Sequence, residues 1–345
     1  MRNYKTLTAG WVVLAFVLTV WCIGCGSGGT ATSDDDDDFE LSSDAEMEER
    51  KEALRLLLPE ATYNAITAGS RNNASCKEGN RADFDDFSEL PNSEWYYTYE
   101  NLITAMARWK EFASEGNENT RKLEIAAFLA NVAQETGAKG AGDPYGGPGC
   151  FIQEVEAWLD PARYNSAACG VSYVCAAAGY YGRGPHQLSW DSNYKAFSED
   201  MGAGDEYFTN PDMLTTDPDI GMAGSIWFWG HEEYTEWSPR DPDIPFKPSA
   251  HNVLVGDWTP TTATTPGVRT SNDVKCDRTA ANFGIIINII NGGVECGPTA
   301  TDEGRVNAQN RVNYLGAIAE AMGVDIPAGF SNNCADQQNF NCPSY

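Results

Sequence analysis

The chain has 345 residues, room for one large domain or two small ones, and 42% of them are apolar, enough for a packed core. Its formal charge of −27 argues against nucleic acid as a partner. The three histidines, His186, His231 and His251, are scattered and no CxxC pair occurs beyond Cys22 and Cys25 near the N-terminus, so neither a metal nor a cofactor is expected.

The first 25 residues read as a targeting segment. Arg2 and Lys5 precede an apolar run, Trp11–Trp21, shorter than the ~20 residues that span a bilayer. Gly24-Cys25 after such a run resembles a bacterial lipoprotein cleavage box, with Cys22 where leucine is usual. Cys25 is the expected lipidation site and would anchor the chain at the outer membrane or cell surface; simple secretion is the alternative. Residues 26–50 follow as an acidic, disordered linker. Gly, Ser, Thr and the run Asp34–Asp38 present no repeated apolar face and repel one another. Apart from Cys22 and Cys25, eight cysteines remain, an even number that suits disulfides in an exported chain.

Residues 51–345 are expected to form the globular part. From Glu52 apolar residues recur at helical spacing, and Pro59 divides them into two short helices. Arg71–Pro91 is a polar, acidic loop around Cys76, and Tyr96–Phe112 is predicted as an amphipathic helix starting near Thr98. Asn117–Gly137 has the clearest helical pattern, apolar nearly all round, with Asn119 or Thr120 as cap and Gly137 as terminator. Glu135 falls in its last turn. There the negative end of the helix dipole and partial burial both favour a protonated carboxyl, as a general acid requires. An ordinary exposed glutamate is the plainer reading.

A Gly/Pro loop, Lys139–Gly149, leads to a short ordered segment, Cys150–Trp158, that contains Glu154. Cys169 and Cys175 bracket a small loop. Tyr180–Tyr194, YYGRGPHQLSWDSNY, is the most distinctive stretch. Its glycines and Pro185 make a rigid, close-approach loop. Gln187, Ser189 and Asn193 place amides and a hydroxyl around Trp190, a combination that suits a sugar, with its apolar faces and polar edges. Helices are predicted over Ala196–Met201 and Met222–His231, the second introduced by Asp217-Pro218, with Trp227, Phe228 and Trp229 assigned to the core. His231–Pro248 is irregular, and Thr259–Arg278 is an expanded loop around Cys276. Propensity makes Ile285–Ile290 a strand. Val306–Met322 is an amphipathic helix carrying Arg311.

YYGRGP-x-QLSW with N-Y soon after closely resembles the family 19 glycoside hydrolases, the plant-type and bacterial chitinases. Four further blocks follow that family's order: AAFLANVAQETG (Ala126–Gly137), CFIQE (Cys150–Glu154), NPDMLTTDPDIGMAGSIWFW (Asn210–Trp229) and NIINGGVECG (Asn288–Gly297). The resemblance covers roughly residues 54 to 335.

It implies a mainly α, bilobal, lysozyme-like helical domain with a substrate cleft and little β-structure, in which Ile285–Ile290 is helical. It implies a monomeric, endo-acting chitinase that cleaves β-1,4 bonds between N-acetylglucosamine units with inversion. Glu135 would be the general acid, Glu154 the general base, and Ser189 would orient the attacking water. Gln187, Asn193, Asn291, Tyr173 and Lys247 would contact the polysaccharide. Glu295 and Arg311 would complete a charge network, although counting from Asn291 would select Arg305. The family's disulfide pattern implies Cys76–Cys150, Cys169–Cys175 and Cys296–Cys334. Cys276 and Cys342 lie outside it and are expected to pair with each other. Gln134 stands where plant members have histidine, and His186 replaces an apolar residue. A peptidoglycan hydrolase on the same fold is the main alternative, and a non-catalytic sugar-binding protein a weaker one.

Overall fold

The acidic N-terminal region does not stay extended as far as residue 50. The structure, a computed structural model, describes residues 39–72, 76, 96–137, 147–154, 179–233, 247–262 and 273–340. Within it, residues 44–50 belong to a helix, α1 (Asp44–Leu57), which corrects the linker reading for that end. Charge repulsion loses here to local bonding. The Ser43 amide and hydroxyl both donate to Glu46, at 2.8 and 2.6 Å. Arg50 donates to the carbonyls of Phe112 and Ala107, at 2.6 and 3.2 Å. Phe39 stacks on Trp109 with ring centroids 5.1 Å apart.

After Pro59 come α2 (Glu60–Ile66) and α3 (Ala68–Asn72), then α4 (Tyr99–Arg108), capped by Thr98 as expected. Helix α5 (Glu118–Thr136) is capped by neither predicted residue. Asn117 accepts the Thr120 amide at 3.0 Å, and Asn119 instead donates to the carbonyl of Asp325. Gly137 ends α5 with an extended backbone, and a Cβ there would lie 2.4 Å from the Ala133 carbonyl oxygen.

The two helices predicted beyond the central loop start earlier than their apolar residues indicate, as α6 (Asp191–Asp200) and α9 (Pro218–Gly230). The short helices α7 (Glu206–Thr209) and α8 (Met213–Thr216) lie between them, and α10 (Ala250–Val255) follows. Ile285–Ile290 is helical, within α11 (Phe283–Glu295), despite its β-branched residues. The Asn282 cap and burial on all sides outweigh a propensity difference of less than about 1 kcal/mol per residue. Helix α12 (Asp302–Met322) packs along α5.

Two apolar cores organise these elements. The larger gathers α1, α4, α5, α10, α11 and α12; the smaller is built from Tyr180, Tyr181, Leu188, Tyr194, Phe197, Phe208, Leu214, Ala223 and Trp227. Helix α9 serves both, giving Met222, Ile226 and Trp229 to one and Ala223 and Trp227 to the other. That double duty is why α9 is apolar all round. The described residues contain isolated β-bridges and no sheet. The fold is mainly helical, as expected.

The disulfides Cys76–Cys150 and Cys296–Cys334 are present. Cys276 is also disulfide-bonded; Cys342, its expected partner, lies outside the described residues. So do Cys25, Cys169, Cys175 and Tyr173.

Candidate active site

Helix α5 carries Glu135 to the edge of the larger core. Its side chain is 19% exposed, against 1% for the two groups it is linked to, Arg311 and Glu295. Arg311 projects from α12 and donates to Glu135, to both oxygens of Glu295 at 2.7 and 2.8 Å, and to Asn131 Oδ1 at 3.1 Å. Burial works against the Arg311 cation, but Glu295 and then Glu135 outweigh it and hold its pKa above the ordinary arginine range. Two carboxylates share one guanidinium, so a proton on Glu135 leaves the cluster neutral. Arg305, the other candidate, donates to the carbonyl of Gly297 instead.

Asn291 lies where α11 breaks. Its backbone is non-helical, with φ −145° and ψ 34°, and its amide donates to Glu295 at 2.9 Å. This expected substrate contact is therefore tied to the charge network.

Glu154 lies on an extended segment that runs back against the end of α5. The Thr136 carbonyl accepts the amides of Cys150 and Phe151, at 3.1 and 2.9 Å. The other edge of the segment pairs with the glycine-rich loop: Glu154 N–H donates to Gly182 O and Gly184 N–H to Ile152 O, both at 2.8 Å. The Gly182 amide also points at Glu154 Oε2, 3.4 Å away.

The loop itself is fixed by unusual backbone angles. Gly184, Gln187 and Trp190 have φ of 75°, 51° and 76°, and only the first lacks a Cβ. Gln187 and Trp190 hold this region because the loop is bonded internally. Gln187 Nε2 donates to Gly184 O at 2.8 Å, Ser189 Oγ to Gln187 O at 2.9 Å, and Asn193 Nδ2 to Ser189 O at 2.8 Å. Within Tyr180–Tyr194 only Gln187, Ser189, Trp190, Ser192 and Asn193 escape full burial, so the residues expected to face sugar are among those left accessible. Lys247, beyond this loop in sequence, has a local partner. It pairs with half-exposed Glu233 at 2.7 Å and holds that carboxyl below its usual range.

Three contributors escape sequence reasoning. Arg183, fully buried, donates to Gly179 O, Tyr194 OH and Asp212, and stacks on Tyr181 at 3.7 Å, anchoring the loop from beneath. Asn131 steadies Arg311, and Thr136 joins the two glutamate-bearing segments. Asn131 had a visible signal, as a lone amide inside the apolar stripe of α5. Arg183 and Thr136 had none beyond membership of matched blocks.

Glu135 and Glu154 thus lie on hydrogen-bonded neighbouring segments, and the second segment pairs with a rigid loop rich in amides and aromatics, an arrangement that suits a glycoside hydrolase. Known proteins agree. The class I chitinase family of glycoside hydrolases matches residues 80–331. The acidic 26 kDa endochitinase of Solanum lycopersicum is 34% identical over 247 residues, 71% of this chain and 78% of that one. Endochitinase 2 of Gossypium hirsutum is 35% identical over 251 residues, 71% and 72% of the two chains. Among solved structures, chitinase C from Streptomyces griseus superposes with a TM-score of 0.52 at 25% identity, covering 81% of this chain and 80% of that one. The class IV family 19 chitinase from Zea mays, 22% identical over 80% of this chain and 97% of that one, shares the fold with a TM-score of 0.50. The chain belongs to glycoside hydrolase family 19.

Proposed function

We propose that this enzyme is an endo-acting chitinase that hydrolyses β-1,4 bonds between N-acetylglucosamine units with inversion. Glu135 protonates the glycosidic oxygen. Glu154 takes a proton from the water that attacks the opposite face of the anomeric carbon, with Ser189 helping to orient that water. Gln187, Asn193, Asn291, Tyr173 and Lys247 contact the chain of sugars. The observation that carries this reading is the placing of the two glutamates: one at a helix end beside a shared arginine, the other on the segment bonded to that helix end.

The same reading makes the protein exported, with Cys25 as a lipid anchor; the disulfides suit an oxidising compartment. The test is product analysis on N-acetylglucosamine oligomers, with anomers resolved by NMR and purified peptidoglycan as a parallel substrate. Initial α-products from the β-linked oligomers are expected. Turnover of peptidoglycan alone overturns the assignment to chitin.

A further inference from the structure

We infer that Thr136 is a positioning residue that sets the spacing between the catalytic acid and base; this rests on the roles proposed for Glu135 and Glu154. Thr136 is fully buried, and three consecutive amides of the base-bearing segment end on it. Gly149 N–H donates to its hydroxyl at 3.0 Å, and Cys150 and Phe151 donate to its carbonyl. The hydroxyl in turn donates to Val132 O, one turn back in α5, at 2.7 Å, which fixes its orientation.

The segment needs such a tether because it enters through a soft joint. Gly147 and Gly149 both have left-handed backbone, with φ of 70° and 91°, a region glycine enters and leaves at little cost. Without the hydroxyl, the buried Gly149 amide loses its acceptor and the joint can turn. A turn there displaces the start of the segment that carries Glu154. An inverting pair leaves about 6.5–9.5 Å between carboxyls for one water, and a misplacement of about 1 Å can cost ~10²-fold in rate. Tyr97 restrains the same segment, its hydroxyl donating to Phe151 O at 2.6 Å.

The experiment measures kcat and KM on a soluble N-acetylglucosamine hexamer, normalised to folded protein by circular dichroism. Thr136→Val should lower kcat about 10- to 100-fold with KM within about threefold of wild type. Thr136→Ser, which keeps the hydroxyl, should recover most of the rate. Tyr97→Phe should show a smaller loss, also confined to kcat. Wild-type kcat in Thr136→Val, equal defects in the Val and Ser variants, or a loss confined to KM would overturn the inference. If Thr136→Val does not fold, Tyr97→Phe decides, and an unchanged kcat there refutes the idea. Failure of the underlying assignment looks different: wild-type enzyme would not cleave the hexamer, or Glu135→Gln would keep its rate.

Discussion

Arg311 holds Glu295 in a two-pronged grip, Nε to Oε2 at 2.8 Å and Nη2 to Oε1 at 2.7 Å, with both side chains 1% exposed. The same Nη2 reaches Glu135. The proposed acid is thus one of two carboxylates competing for a single cation. Replacing Glu295 with Gln removes the competitor and leaves Glu135 facing Arg311 alone, which favours its ionised form. A general acid works only when protonated, so the alkaline limb of the pH–rate profile should move to lower pH. A profile identical to wild type would show that the network does not act on the acid. Arg311→Met should instead destabilise the fold by about 3–5 kcal/mol, because Glu295 would be buried without its partner; denaturant melts measure this.

Glu135→Gln should retain binding and lose at least about 10²–10⁴-fold in kcat, the usual contribution of general acid–base assistance. Glu154→Gln should also lose much of its activity, because the water lacks its base. Azide should not rescue Glu154→Ala through a retained-configuration product, since inversion forms no covalent intermediate. Rates like wild type in Glu135→Gln would reduce that carboxyl to a surface charge.

His186 makes a pH prediction. Its ring lies 4.5 Å from that of Phe128 and 5.9 Å from that of Trp229. Both ring nitrogens are buried and have no hydrogen-bond partner of good geometry among the described residues. Burial, and then the charge of Arg311, push its pKa down to about 3. The unfolded chain binds the proton with a pKa of about 6.5, so stability is complete above that pH and falls as pH drops towards 3. Each pH unit in the window costs up to about 1.4 kcal/mol. His186→Leu should therefore gain about 2–3 kcal/mol relative to wild type between about pH 7.5 and about pH 4.5. Parallel urea melts at the two pH values test this, and an unchanged difference would mean that the ring is hydrated or bonded.

Mass spectrometry of the mature N-terminus should find Cys25 as a diacylglyceryl-modified first residue. An unmodified terminus beyond Cys25 would rule out the anchor.

Non-reducing peptide maps should join Cys276 to Cys342, fastening the C-terminal tail to the loop that ends at Arg278. A free thiol on Cys342 would exclude this pairing.

The amino-acid order alone marked where most of the long helices lie, because apolar periodicity acts within a few residues, but it missed several of their starts. It marked Thr98 as a cap and Asp217-Pro218 as a helix start. Matched motifs singled out Glu135, Glu154 and the loop at 180–194, and overruled the strand propensity of Ile285–Ile290. What the order could not decide depends on contacts across long separations. Residues 44–50 look like solvated linker until Arg50 meets the carbonyls that close α4. Resemblance favours Arg311 over Arg305, but only the packing of α12 along α5 turns Arg311 towards Glu135 and Glu295 and Arg305 to the carbonyl of Gly297. Thr136 is an ordinary helix-terminal threonine until the segment from Gly149 to Phe151 returns to bond with it. In each case the deciding partner lies outside the residue's own helix, and burial strengthens the hydrogen bond that chooses it.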